Sequence, residues 1–180
     1  MLRPLRVQLA PVMNGGAVAR KKRRNRIGDI RTMNRLFPAA DVAARSAGVP
    51  VACAEHLIIA ALDLPDGTAR RAFIRAGVNP DDFTRIINDM HASSEGNGGS
   101  VGPEVKGRGP LKTEESAQRV FKQVVDMVRT ERTQLYGAYL ILVSAETGEP
   151  TPCSAFEAMG VTPDQMAVAA RAEIDEMVNG

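Results

Sequence analysis

Apolar residues recur along the chain at helical spacing, in short runs that glycine and proline interrupt. Leu57, Ile58, Ala61 and Leu62 stand at i, i+1, i+4 and i+5, which gathers them on one helix face. Pro65, Asp66 and Gly67 break that run, and Thr68 predicts the cap of a helix through Ala76. Gly77 is suited to the left-handed position that ends it. Asn79 can then accept from the next first turn, Pro80 fits its first position, and Asp81 and Asp82 complement the macrodipole. The same device returns downstream, where Gly160 stops a helix, Thr162 caps the next, Pro163 opens it and Asp164 adds early negative charge. Upstream, Phe37-Pro38 predicts a helix start, with the helix running through Ala47 to Gly48. Thr113, Glu114 and Glu115 predict the start of a long helix carrying Val120, Phe121, Val124, Val125 and Val128.

The recurrence is an internal repeat. A shift of 83 positions lays Ala72–Phe83 (AFIRAGVNPDDF) on Ala155–Met166 (AFEAMGVTPDQM) and His56–Ile59 (HLII) on Tyr139–Leu142 (YLIL). One constant offset across both blocks leaves no insertion between them. The expected fold is all-α, with two pseudo-twofold-related four-helix repeats. The expected boundaries are a basic arm over 1–28, a first repeat over 29–91, a Gly/Ser/Pro-rich linker over 92–111 and a second repeat over 112–180.

Composition agrees with a helical chain: 44% hydrophobic and only 4% aromatic residues, with no Trp, disfavour a β-sandwich. Cys53 and Cys153 lie far apart and outside any CxxC pattern, which argues against a disulfide scaffold and for a reducing, cytoplasmic setting. The longest apolar run, Leu57 to Leu62, is far below the roughly 20 residues of a membrane span. The net charge of +2 hides an asymmetry, since residues 1–31 hold nine Lys/Arg against one Asp. The run Ala19 to Arg26 (ARKKRRNR) has no apolar period to bury, so its self-repulsion predicts a disordered arm.

The first repeat then shows a pattern: Ala40, Ala44, Gly48, Glu55-His56-Leu57-Ile58-Ile59, Gly67-Thr68-Ala69 and Gly77. It resembles the double Clp N motif, the amino-terminal domain of ClpC- and ClpA-type unfoldase chaperones. The second repeat is more divergent, with Ala138-Tyr139-Leu140 at the Glu-His-Leu position. The chain carries no Walker A sequence and no arginine-finger module, so the resemblance implies a free-standing binding domain that does not hydrolyse ATP and needs no cofactor. It also implies partners: Clp substrates, adaptors, phosphoarginine-tagged proteins and cyclic-peptide antibiotics, and through competition for them a Clp unfoldase.

In the family, each of two equivalent sites pairs a Thr near the repeat's first helix with the Glu of the Thr-Glu-His motif. The resemblance therefore implies two half-sites here, Glu55 in the first repeat and Thr113 in the second. Ile30 and Ala54 stand at the first repeat's Thr positions, and Ala138 at the second repeat's Glu position. Losing one charge-assisted partner costs about 1.5–3 kcal/mol, roughly a tenfold to hundredfold weakening per site. The same residues also have a purely structural reading, with Glu55 as a first-turn carboxylate and His56 as a core residue. Phe73 and Phe156, at equivalent repeat positions, read as core. No GxSxG is present, and neither His56 nor His91 has metal-ligand spacing to a Cys or carboxylate, so neither a catalytic residue nor a metal is expected.

The basic arm supports an alternative, a ligand-responsive nucleic-acid-binding regulator whose arm docks on nucleic acid while the folded body binds a peptide. Arg20, Lys21, Lys22, Arg23, Arg24 and Arg26 suit nucleic-acid phosphates, and the lack of interleaved aromatics makes such binding sequence-nonspecific. The split between a basic arm and an acidic body equally suits an acidic partner or the chain's own body.

Overall fold

A computed structural model describes residues 26–95 and 114–180. Over them the chain forms eight α-helices and no β-strand: α1 (Arg26–Ser46), α2 (Ala54–Leu62), α3 (Thr68–Arg75), α4 (Pro80–Glu95), α5 (Glu115–Glu131), α6 (Ala138–Glu146), α7 (Pro150–Ala158) and α8 (Pro163–Asn179). The fold is all-α, four helices to each repeat. The duplicated punctuation works as its chemistry requires. Gly77 and Gly160 both adopt φ +84°, a left-handed turn open to glycine, and α4 and α8 each begin on the proline three residues later. Asn79 Oδ1 accepts from Asp81 N at 3.1 Å, while Thr162 and Gln165 close a reciprocal capping box.

Three local expectations are corrected. Helix α1 starts at Arg26 rather than Phe37, so Arg26, Ile27 and Gly28 belong to the folded body and not to an arm. Pro38 sits inside the helix because both it and Asn34, whose carbonyl loses its partner, face solvent, where water can satisfy the freed group. The cap of α3 falls on Gly67, at φ +65°, and Thr68 is the helix's first residue. Helix α4 runs on through Ala92 to Glu95, into the stretch assigned to the linker.

Helices α2 and α6 form the centre. Every residue of α2 except Ile59 is buried, as is every residue of α6 from Ala138 to Ala145, the pattern of helices apolar all round. The others wrap them and cross between repeats: α3 packs on α8, and α4 on α7. Where they cross, Phe73, Phe83 and Phe156 are fully buried with ring centroids 5.3–6.0 Å apart. Phe73 and Phe156 are equivalent under the 83-residue shift, so the core lies on the pseudo-twofold axis. Glu173 of α8, nearly inaccessible, accepts from Arg71 Nε at 2.6 Å and Arg75 Nε at 2.7 Å, tying α3 to the other repeat. The two repeats therefore share one core.

Candidate functional site

The start of α2 gathers most of the chain's unusual side chains. Cys53 is its cap residue in extended conformation, and Glu55 and His56 fall in the first turn. The His56 ring folds back so that Nδ1 accepts the Cys53 N–H at 3.1 Å. That bond places the ring proton on Nε2, a fully buried nitrogen without a hydrogen-bond partner. The Glu55 carboxylate is only 4% exposed; its Oε1 lies 3.0 Å from His91 Nε2, on α4, and 3.7 Å from His56 Nδ1. The two imidazoles stack with centroids 5.3 Å apart.

Burial dominates the electrostatics. It raises the Glu55 carboxyl above the ordinary range, outweighing the pull of His91. It also lowers His56 to about 4, with the neighbouring His91 adding to the effect. The Cys53 thiol is pushed far up by burial first, then by the carboxylates of Glu55 and Glu114. The cluster therefore holds a protonated thiol and a neutral inner histidine at neutral pH.

The second wall of this site comes from the other repeat. Glu114 N donates to the Ala52 carbonyl at 3.0 Å, and Ser116 Oγ accepts from Ala54 N at 3.2 Å. Ser116 Oγ in turn donates to Glu114 Oε2 at 2.5 Å. The start of α5 thus caps the start of α2. By the pseudo-twofold relation, α1 meets the loop before α6, where Asp29 Oδ1 accepts from Leu135 N at 2.8 Å.

At the equivalent start of α6 the donors are already taken. Asp66 accepts from Gly137 N through both carboxylate oxygens, at 3.4 and 3.3 Å, and Thr68 Oγ1 accepts from Ala138 N at 2.9 Å. A Cβ on Gly137 would lie 3.1 Å from the Ala61 carbonyl and 3.2 Å from the Ala69 Cβ, so the loop is pressed against the first repeat. No anion can reach these amides without displacing Asp66.

Of the residues singled out from sequence, Glu55 lies in the buried cluster, Arg26 is exposed at the start of α1, and Ile30 is 52% exposed on the same helix. Ala138 is fully buried. Thr113, Arg20, Lys21, Lys22, Arg23 and Arg24 lie outside the described residues, as does the linker beyond Glu95. Sequence reasoning missed Cys53, His91 and Ser116 as neighbours of Glu55. It also judged the histidines to lack metal spacing, yet Cys53, Glu55 and His56 bring a sulfur, an oxygen and a nitrogen all within 4.8 Å of one another. The spacing cap, second and third position is compact only once the helix turn forms, and His91 arrives from a helix 36 residues on. The one available signal was the pairing of a cap-position Cys with Glu-His just inside a predicted helix.

No helix among the described residues is long and apolar enough to cross a membrane. No family model matches the sequence, and no curated protein sequence matches it. Among solved structures, the fold is similar to the N-terminal domain of the caseinolytic protease associated chaperone ClpD from Arabidopsis thaliana. The match has a TM-score of 0.56 and 17% identity, and covers 89% of this chain and 99% of that one. The chain therefore has a Clp N-terminal-domain-like fold.

Proposed function

We propose that the chain is a non-enzymatic module that binds protein or peptide ligands of Clp-dependent proteolysis in the cytoplasm: substrates, adaptors or cyclic-peptide antibiotics. By holding such ligands it competes with a Clp unfoldase and modulates degradation. The observation that carries this reading is the likeness of fold to the N-terminal domain of a protease-associated chaperone over nearly the whole chain. The junction of α2 and α5 supports a single ligand site. Glu55 stands at the start of α2, and the α5 start that caps it follows Thr113 directly in sequence. Glu55 thus stands at this junction with one departure, Ala54, beside it, while the departures Ile30 and Ala138 fall on α1 and α6. An arginine-phosphorylated ligand at the junction would take the Glu55 carboxylate from His91.

The test is a calorimetric titration of unfolded casein, with and without arginine phosphorylation, into the protein and into Glu55→Ala. Binding of both forms establishes a protein-binding module. Binding of the phosphorylated form alone, lost in the variant, establishes the Glu55 site. Heat changes absent with both forms overturn the proposal.

A second reading, nucleic-acid binding through Arg20, Lys21, Lys22, Arg23, Arg24 and Arg26, is favoured by one contrast. Arg26, Arg31, Arg35 and Arg45 are exposed on α1 without a carboxylate partner among the described residues, whereas of the described Lys/Arg on the other helices and their caps only Lys122 and Arg132 lack one. Gel-shift titration of duplex DNA at rising salt checks it. A salt-sensitive shift that weakens when Arg31 and Arg35 become Gln supports this reading, and the absence of any shift at low salt removes it.

A further inference from the structure

The Cys53 cluster has a composition that a peptide site does not need. A thiol, a carboxylate and two imidazoles converge on one place, and the ion-pair neighbours of Glu55 among the described residues are His56 and His91, with no lysine or arginine. Soft sulfur and borderline imidazole nitrogen beside one carboxylate oxygen is a donor set suited to zinc-type transition ions rather than to calcium or magnesium, which require oxygen cages.

We propose that Cys53 Sγ, the Glu55 carboxylate, His91 Nε2 and His56 Nδ1 form a binding site for one zinc-type divalent transition-metal ion at the junction of α2, α4 and α5. Glu55 and His91 hold each other at 3.0 Å, and the Cys53, Glu55 and His56 donors lie within 4.8 Å, a small adjustment from the spread of a tetrahedral shell. On binding, the Cys53 thiol releases its proton to solvent, the Glu55–His91 bond is replaced by two metal bonds, and His56 Nδ1 exchanges the Cys53 N–H for the ion. Access runs past His91, 21% exposed, and Cys53, itself partly exposed. The ion would tie α4 to α2 and fix the wall facing α5. The ion would occupy the same Glu55 carboxylate that the proposed ligand site uses, so ion and arginine-phosphorylated ligand would exclude each other there, while the test below reads the protein alone.

The experiment is titration of Co²⁺ and Zn²⁺ into tag-free, chelator-treated full-length protein in the presence of reductant, followed by absorption and equilibrium dialysis. One cobalt ion per chain is expected, with a thiolate-to-cobalt charge-transfer band in the near ultraviolet and strong visible d–d bands of a four-coordinate ion, both displaced by one equivalent of Zn²⁺. Cys53→Ser should abolish the charge-transfer band. His91→Gln, at a partly exposed position, should weaken affinity at least about tenfold. Far-ultraviolet circular dichroism confirms that both variants remain helical. Absence of stoichiometric binding, or a cobalt spectrum unchanged in both folded variants, overturns the site. Casein titration is unaffected by either result, so failure here is separate from failure of the module's proposed function.

Discussion

The starts of α2 and α6 occupy equivalent places in the two repeats, and their side chains differ at nearly every position. Under the 83-residue shift Cys53, Glu55, His56 and His91 correspond to Tyr136, Ala138, Tyr139 and Ile174. Where the first repeat stacks two imidazoles, the second stacks two phenols, with centroids 6.5 Å apart. The first leaves an unsatisfied ring nitrogen; the second turns inward, with Tyr139 bonded to Thr133 at 2.6 Å and Glu131 at 2.7 Å. Duplication has kept what shapes the backbone and released what carries chemistry. The duplicated turns need a glycine at φ +84° and a proline three residues on, whereas a helix start needs only some donor and acceptor to close it. The first repeat is closed by Ser116, the second by Asp66 and Thr68, each from the opposite repeat.

The largest test of this comparison is whether the repeats stand alone. Phe73 and Phe156 are equivalent, fully buried and 6.0 Å apart by centroid. Replacing either with Ala should cost about 3–5 kcal/mol, the range for a buried Phe. Because both rings belong to one shared core, urea unfolding followed by circular dichroism should shift in a single transition by a similar amount in each variant. Two separated transitions, or a large effect for one and none for the other, would show that the halves fold independently.

A smaller effect probes the closed start of α6. Its equivalent in the first repeat, Ala54, carries a Cβ, while Gly137 sits where one would press on Ala61 and Ala69. Gly137→Ala should destabilise by about 1–3 kcal/mol through overpacking, at a cap position where alanine is also a poorer residue than glycine. A neutral result in thermal unfolding would mean that the loop can lift from the first repeat, leaving the α6 amides open to an anion as those of a free helix start are.

Much of the fold was legible because it rests on residues with few alternatives. Gly77, Pro80, Gly160, Thr162 and Pro163 mark helix ends by backbone geometry alone, and a constant offset needs no structure to see. The α1 start was not legible, because proline tolerance depends on Asn34 and Pro38 facing water, a fact of packing. The site was half legible for a similar reason. Glu55 stands out in its motif, but the cap that closes α2 comes from Ser116, 62 residues away, and the partner of its carboxylate from His91 on another helix. Local spacing cannot report groups that only a pseudo-twofold crossing brings together.

The smallest effect concerns the charge pair that holds the repeats to each other. Burial of Glu173 opposes ionisation, but the hydrogen bonds from Arg71 and Arg75 together prevail, so its carboxyl sits below the ordinary range. A carboxylate whose folded value is depressed adds stability above its unfolded value, about 4.3, and loses it as pH falls through the folded one. Glu173→Gln should therefore destabilise the protein near pH 7 by about 1–2 kcal/mol, reduced from a fully buried pair because both arginines are partly exposed and open to salt. The gap between wild type and variant should close as pH falls below about 4, and narrow at high salt even at neutral pH. The equivalent residue in the first repeat is Met90, which carries no charge and makes no such crossing ion pair. A gap in urea midpoint that stays constant down to pH 3 would show that Glu173 acts through packing, and that the asymmetry between the repeats at this crossing is steric rather than electrostatic.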